Sequence, residues 1–265
     1  MLDLAIIGGG PAALSAAIYA ARAGLKVTVY EKGSVGGALP QIAKIENYPG
    51  FVGSGADLAK IMREQAQTAG AQFEYGECQK VKPLVIDDEQ VDARTILVAT
   101  GSEPIPLDIK TDKPVSYCAL CDGALYRNQD IAVVGGGNSA VQESLHLAKI
   151  VRHLTLFSHS KLKADTCLVA KLKALTNITI KENTTPTEFA DFAAVFTFIG
   201  KRPATSFLPT EVLTSAGYVK TDNYMTAIPG LFAAGDVRDG ATRQAITAAA
   251  DGAAAAIAIT KFLQK

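Results

Sequence analysis

The sequence predicts an α/β protein of two doubly wound units, the first split in sequence and the second reduced in size. Three observations carry that expectation. The stretch "LDLAIIGGGPAALSAAIYAARAGLKVTVYE" reads as strand, glycine turn, alanine-rich helix, glycine stop at Gly24 and second strand. The same grammar returns at "DIAVVGGGNSAVQESLHLAKIVRHLTLFS", with Ile131 to Val134 as strand, Ser139 onward as helix and Leu154 to Phe157 as the next strand. With 265 residues, 48% hydrophobic and 20% charged, the chain is long enough to bury its cores without staples.

Between the repeats, "SGADLAKIMREQAQTAGA" has helical spacing at Leu58, Ile61, Met62 and Ala66 and stops at Gly70. "RTILVATGSEPIPL" reads as a buried strand running into a turn. After the second repeat there is room for a helix over Asp165 to Leu175, a strand over Asn177 to Lys181 and a short crossover into "AAVFTFIG". The polar stretches 109–115 ("IKTDKPV") and 215–224 ("SAGYVKTDNY") suit linkers. "GLFAAGDV" and an alanine-rich helix then return to the first unit, giving domains of 1–112 with 218–265, and of 113–217.

Acidic and basic residues balance at 26 each, so attraction to nucleic acid or anionic lipid has no evident source. The N-terminus runs into a strand with no basic leader, which makes a cytoplasmic location the expectation. The most apolar stretch, "AITAAADGAAAAIAITKFL", is interrupted by Asp251 and Gly252 and is better read as a buried helix than as a membrane span. Four cysteines with one close pair do not make a secreted disulfide framework, and Cys78 and Cys167 read as ordinary thiols.

Gly8, Gly10 and Ala13 fit G-x-G-x-x-A between a strand and a helix, with Glu31 at the end of the following strand. Such a Rossmann-like turn lets backbone approach a pyrophosphate at a helix N-terminus, while the acid accepts ribose hydroxyls. Gly135, Gly137 and Ala140 repeat the fingerprint. After the second strand of that unit come Ser158, His159, Ser160, Lys161, Leu162 and Lys163, with neither an acid for a ribose 2′-hydroxyl nor an arginine for a 2′-phosphate.

"SYCALCDG" places Cys118 and Cys121 two residues apart. Structural zinc usually takes four ligands, and no second cysteine pair is present, so no metal is expected. A static disulfide does not suit a cytoplasmic protein, whereas C-x-x-C near a βαβ unit is a redox arrangement that opens and closes. Its position at a helix start favours the thiolate.

"GGGPAALSAAIYAARAG", "GGALPQIAKIENYPG", "ILVATGS", "SYCALCDG", "VVGGGNSAVQESL" and "GLFAAGDV" with "RQAITAAADG" follow one another in an order that resembles the low-molecular-weight thioredoxin reductases, over nearly the whole chain. The resemblance implies FAD in the discontinuous unit, contacted by Gly8, Gly10, Ala13, Glu31, Gly37, Asn47, Thr100, Gly101, Asp236, Arg243, Gln244 and Ala245. It makes Cys121 the sulfur beside the flavin, Cys118 the one that attacks a thioredoxin disulfide, and Asp122 the general acid and base. It also implies a homodimer, and a rotation about the two linkers so that the cysteine pair alternately faces cofactor and partner. Gln244 and Ala245, at a helix start, would offer backbone N–H groups to the flavin's pyrimidine oxygen. One departure is Ala38 in Gly36-Gly37-Ala38-Leu39, where the family commonly has glutamine.

The family's NADPH readers form H-R-R-x-x-x-R, and here Ser158-His159-Ser160 followed by Lys163 loses both paired arginines. That departure and the short crossover point to the pyridine-nucleotide-independent branch, in which ferredoxin reduces the flavin directly and Gly135, Gly137 and Ala140 are a nucleotide relic. The alternatives are an NADPH-dependent thioredoxin reductase, a flavoenzyme moving electrons between ferredoxin and NADP, which lacks the cysteine pair, and a flavin-bound redox sensor that reacts about once per pair.

Overall fold

The computed structural model describes residues 1–42 and 44–264. The chain divides into two compact units, Met1–Glu103 together with the chain from Pro203 onward, and Pro104–Arg202. Both crossings fall ahead of the polar stretches that the sequence suggested. Leu107 and Ile109 already pack in the core of the second unit, and Leu208, Val212 and Val219 pack in the core of the first. Apolar side chains, more than linker polarity, therefore set the boundaries.

The first unit is built on a parallel sheet in the order Leu231–Ala233, Ala93–Val98, Leu2–Ile7, Val27–Glu31, Gln72–Tyr75. Its strands alternate in the side chains they send to each face. Leu4, Ile6, Val27, Val29 and Leu97 meet helices α1 (Pro11–Arg22) and, at the C-terminus, α6 (Ala245–Leu263). Leu2, Ala5, Ile7 and Val98 meet a three-stranded antiparallel sheet, Cys78–Val81, Leu84–Ile86 and Glu89–Gln90, so the second face is covered by strands rather than helices. Helix α2 (Gly55–Thr68) is capped by Ser54, whose Oγ accepts from the Asp57 N–H at 3.1 Å. It buries Leu58, Met62 and Ala66, whereas Ile61 is 43% exposed, off the face that its spacing suggested.

Helix α6 is long and apolar enough to cross a membrane by length and composition alone. It runs unbroken through Asp251 and Gly252. A Cβ on Gly252 would lie 1.9 Å from Ala12 O, so glycine is what lets α6 close on α1. The helix buries Ala248, Ala249, Gly252, Ala255, Ala256 and Ile259 but leaves Ile257 47% exposed, so it is buried on one face and not all round.

The second unit carries a parallel sheet in the order Val115–Ser116, Val195–Thr197, Asp130–Val134, His153–Phe157, Ile178–Lys181. One face packs Ile131, Val133, Leu154, Leu156 and Phe196 against α3 (Ala119–Asp122), α4 (Asn138–Leu147) and α5 (Thr166–Lys173). The other is closed by Phe189, Phe192, Leu107 and Ile109. The crossover from Glu182 to Ala194 contains only turns and bends, in keeping with the reduced size of the unit.

Candidate active site

Gly8 leaves the first strand with φ +101°, and a Cβ there would lie 2.6 Å from Ala99 O. Only glycine makes this turn. The Gly9 N–H donates to Glu31 Oε2 at 2.6 Å and the Gly33 N–H to Glu31 Oε1 at 2.8 Å, which fixes the carboxylate beneath the turn. Gly10 caps α1, Ala13 is fully buried, and Gly37 packs its backbone against Gly10. The structure thus gathers Gly8, Gly10, Ala13, Glu31 and Gly37 around one turn.

The Asn47 amide donates to Gln244 Oε1 at 3.2 Å, joining two residues distant in sequence. Gln244 forms a capping box with Thr247, and its own N–H is taken by Thr242 O at 3.0 Å and Thr247 Oγ1 at 3.3 Å. That corrects the expectation that Gln244 offers a backbone N–H to a ligand. Ala245, the first residue of α6, lacks an intrahelical acceptor. Thr100 Oγ1 donates to Ala204 O at 2.7 Å, so its hydroxyl holds the returning chain. Gly101 follows it with φ +65°. Arg243 stacks 4.8 Å from the centre of the Tyr218 ring and donates to the Tyr218 hydroxyl. Asp236 is half-buried in the Gly235–Val237 turn.

Two residues that sequence reasoning missed hold that turn. Asp251 Oδ2 accepts from the Gly235 N–H at 3.2 Å and from Arg238 Nε and Nη2 at 3.0 and 2.8 Å. Asp251 had read only as an interruption of an apolar run; a buried charge with no visible partner is the signal that could have found the pair.

In the second unit, Cys118 and Cys121 are joined as a disulfide with Cα atoms 5.3 Å apart. Cys118 is the N-cap of α3 and half-buried, and its Sγ accepts from the Cys121 N–H at 3.1 Å; Cys121 is exposed. Asp122 ends α3. Ser116, buried at the end of its strand, donates from Oγ to Asp122 Oδ2 at 2.7 Å and accepts from the Cys118 N–H at 3.2 Å. This hydroxyl, also missed, ties the acid to the backbone of the nucleophile candidate. Leu120 and Leu125, 37% and 70% exposed, give the disulfide apolar neighbours in the chain.

The turn Gly135–Gly137 repeats the geometry of the first one. The Gly135 N–H donates to Phe157 O at 2.9 Å as Gly8 does to Tyr30 O at 2.8 Å. Gly137 caps α4 and Ala140 is fully buried. By this register Ser158 stands where Glu31 stands in the first unit. Ser158 is 1% exposed, and its Oγ, without a hydrogen-bond partner, would lie 2.2 Å from a Cβ on Gly136. The position that holds a carboxylate in one unit holds a hydroxyl sealed beneath the turn in the other.

A dinucleotide turn with a pre-oriented acid, a second such turn, and a C-x-x-C disulfide at the start of a short helix define a flavin disulfide oxidoreductase. The sequence agrees: residues 2–252 match the pyridine nucleotide-disulphide oxidoreductase family model. The chain is 37% identical to the "34.2 kDa protein in rubredoxin operon" of Clostridium pasteurianum, over 99% of this chain and 97% of that protein. It is 33% identical to thioredoxin reductase of Bacillus subtilis, over 99% and 95%. The crystal structure of Lactococcus lactis thioredoxin reductase superposes with a TM-score of 0.93 at 32% identity, covering 100% of this chain and 99% of that one. The chain belongs to the pyridine nucleotide-disulphide oxidoreductase family, in its low-molecular-weight thioredoxin reductase branch. It is an FAD-dependent oxidoreductase acting on a disulfide. The first unit fits FAD: in a turn that only glycine makes, the backbone N–H groups at the start of α1 would meet a pyrophosphate, and Glu31, held beneath the turn, would meet a ribose hydroxyl.

Proposed function

We propose that the chain reduces the disulfide of a thioredoxin through Cys118 and Cys121, drawing electrons from a ferredoxin-type protein and not from NADPH. The observation that carries the donor reading is Ser158, buried where a nucleotide reader would stand. The second reading is an NADPH-dependent reductase, favoured by the intact Gly135–Gly137 turn.

Bound FAD supplies the electron pair that the Cys118–Cys121 disulfide takes up. Two thiols result, and the Cys121 N–H, already 3.1 Å from Cys118 Sγ, favours the thiolate on Cys118. Asp122 takes the proton that Cys118 gives up, the thiolate attacks the substrate disulfide to form a mixed disulfide, and the expelled substrate thiolate receives that proton back from Asp122. Cys121 then attacks Cys118 Sγ, restoring the intramolecular bond and releasing the second substrate thiol. Leu120 and Leu125 offer apolar area to the incoming protein. A homodimer and a cytoplasmic site of action belong to the same reading, and light scattering checks the first.

Anaerobic flavin reduction, followed separately with NADPH, NADH and reduced ferredoxin, tests the donor. Bleaching by ferredoxin alone is expected; rapid bleaching at micromolar NADPH would favour the second reading. Steady turnover of thioredoxin, lost in Cys118→Ser with flavin reduction intact, tests the thiol chemistry and separates an enzyme from a sensor that reacts once per pair.

A further inference from the structure

The chain is neutral overall, yet from Lys149 to Glu182 it carries seven lysines and arginines against two carboxylates, Asp165 and Glu182. The fold gathers this stretch at one edge of the second unit: the strand His153–Phe157, a loop over residues 158–165, α5 and the edge strand Ile178–Lys181. Lys149, Lys161, Lys163, Lys171 and Lys173 are all exposed there. Among the described residues none of these five lies within ion-pair distance of a carboxylate, while Arg152 is spent on Asp130. In the first unit Lys32 pairs with Glu77 and Glu103, Lys44 with Glu46, Lys60 with Glu64 and Arg94 with Asp3, and exposed lysines outside those pairs, such as Lys26, Lys80, Lys82 and Lys220, are scattered along the chain instead of gathered in one stretch.

Helix electrostatics explains only part of this strip. Lys171 and Lys173 sit in the last turn of α5, where cations are favoured. Lys161 and Lys163 precede its N-terminus, where cations are disfavoured, so another demand holds them there. Their loop is pinned. The Lys163 N–H donates to Gly136 O at 2.7 Å, the Leu162 N–H to Glu182 Oε1 at 2.8 Å, and the Asp165 N–H to Asn138 Oδ1 at 2.7 Å. The Glu182 carboxylate is engaged in one of these anchors, and the Asp165 carboxylate accepts from Asn138 Nδ2 at 3.0 Å. Asn177 Nδ2 donates to Ala148 O at 2.8 Å, fixing the far end of the strip beside Lys149. Lysines on a pinned backbone lose less entropy when a partner docks than the same side chains on a loose loop.

We infer that this lysine strip, from Lys161 and Lys163 along α5 to Lys173 and Lys149, is the docking surface for an acidic ferredoxin-type electron donor. The inference rests on the proposed donor reading and deepens it. Dispersed point charges suit a carboxylate-covered protein better than the bidentate grip that a nucleotide 2′-phosphate needs. The strip is also at the edge opposite the disulfide. Three strands separate the strand Val115–Ser116 from the strand Ile178–Lys181, about 19 Å at ~4.8 Å per step, so a partner on α5 leaves Cys118 free.

The experiment is stopped-flow flavin reduction of the intact holoprotein by a reduced acidic two-cluster ferredoxin, with dithionite as a charge-indifferent control. Wild-type rates under subsaturating ferredoxin should fall roughly tenfold between about 0.02 M and about 0.3 M NaCl. The K161E/K163E and K171E/K173E pairs should each lower the ferredoxin rate about tenfold while leaving dithionite reduction and thioredoxin turnover driven by it unchanged. Charge reversals that leave ferredoxin reduction untouched overturn the docking surface alone. A wild type that ferredoxin does not reduce, or a strip whose reversal abolishes binding to a DNA duplex but no ferredoxin step, overturns it as well; only the first of these also sinks the donor reading.

Discussion

One oxygen of Asp251, midway along α6, holds both Arg238 and the backbone N–H of Gly235, and Arg238 lies 4.8 Å over the Tyr224 ring. The pair is mostly buried, with side chains 19% and 18% exposed. It thereby fastens the turn that carries Asp236 to the helix that begins at Ala245. Removing one partner strands the other charge, which costs about 3 kcal/mol in a fully buried site and less in this partly shielded one. Asp251→Ala should therefore raise the FAD dissociation constant roughly tenfold. Flavin release on ultrafiltration measures this, and circular dichroism of the flavin-free protein separates a loosened turn from an unfolded chain. Unchanged FAD retention would show that the turn stands without the pair.

Ser116 makes a different connection, between the carboxylate of Asp122 at 2.7 Å and the N–H of Cys118 at 3.2 Å. If Asp122 moves the proton during exchange, then Ser116→Ala leaves that carboxylate free to rotate away. Thioredoxin turnover should drop about tenfold and its pH profile should shift, while Ser116→Thr restores both. A merely structural serine would change the melting temperature and not the profile.

The fold was legible because its signals are local. Glycine turns at Gly8 and Gly135 and alternating strands such as Val27–Glu31 follow from backbone sterics that a single stretch of sequence displays. The missed residues act across distance. Asp251 meets Arg238 only because α6 folds back on the sheet, and Ser116 meets Asp122 only because α3 turns over the end of a strand. Ser158 was visible as a missing acid, yet its burial under Gly136 needed coordinates. Ile61 failed because helical spacing gives a stripe wider than the face that a short helix actually buries.

Glu143, on α4, provides a pH test. Burial pushes its carboxyl above the ordinary range, against the pull of Lys201. The native state then holds this proton more tightly than the unfolded chain, so the stability linked to Glu143 is present at acid pH and is lost as pH rises through the ordinary value, about 4.3, to the raised one. At neutral pH the ionised group is a burden. Glu143→Gln should raise the melting temperature by about 2 °C at neutral pH and leave it unchanged in mild acid. Equal effects at both pH values would mean that packing, not charge, decides.

The four thiols of the reduced protein should also differ in reactivity, for separate physical reasons. Burial pushes the Cys78 thiol up to about 11, and its sulfur faces Lys80 O at 3.4 Å, so it should label only on unfolding. Cys167 is exposed at the start of α5 and should label without unfolding. Cys118, with the Cys121 N–H directed at its sulfur, should be alkylated first at neutral pH even though Cys121 is the more exposed. Timed iodoacetamide labelling with peptide mass spectrometry gives the order directly. Cys121 labelling ahead of Cys118, in the wild type and again in the single serine variants, would exchange the roles assigned to the two sulfurs.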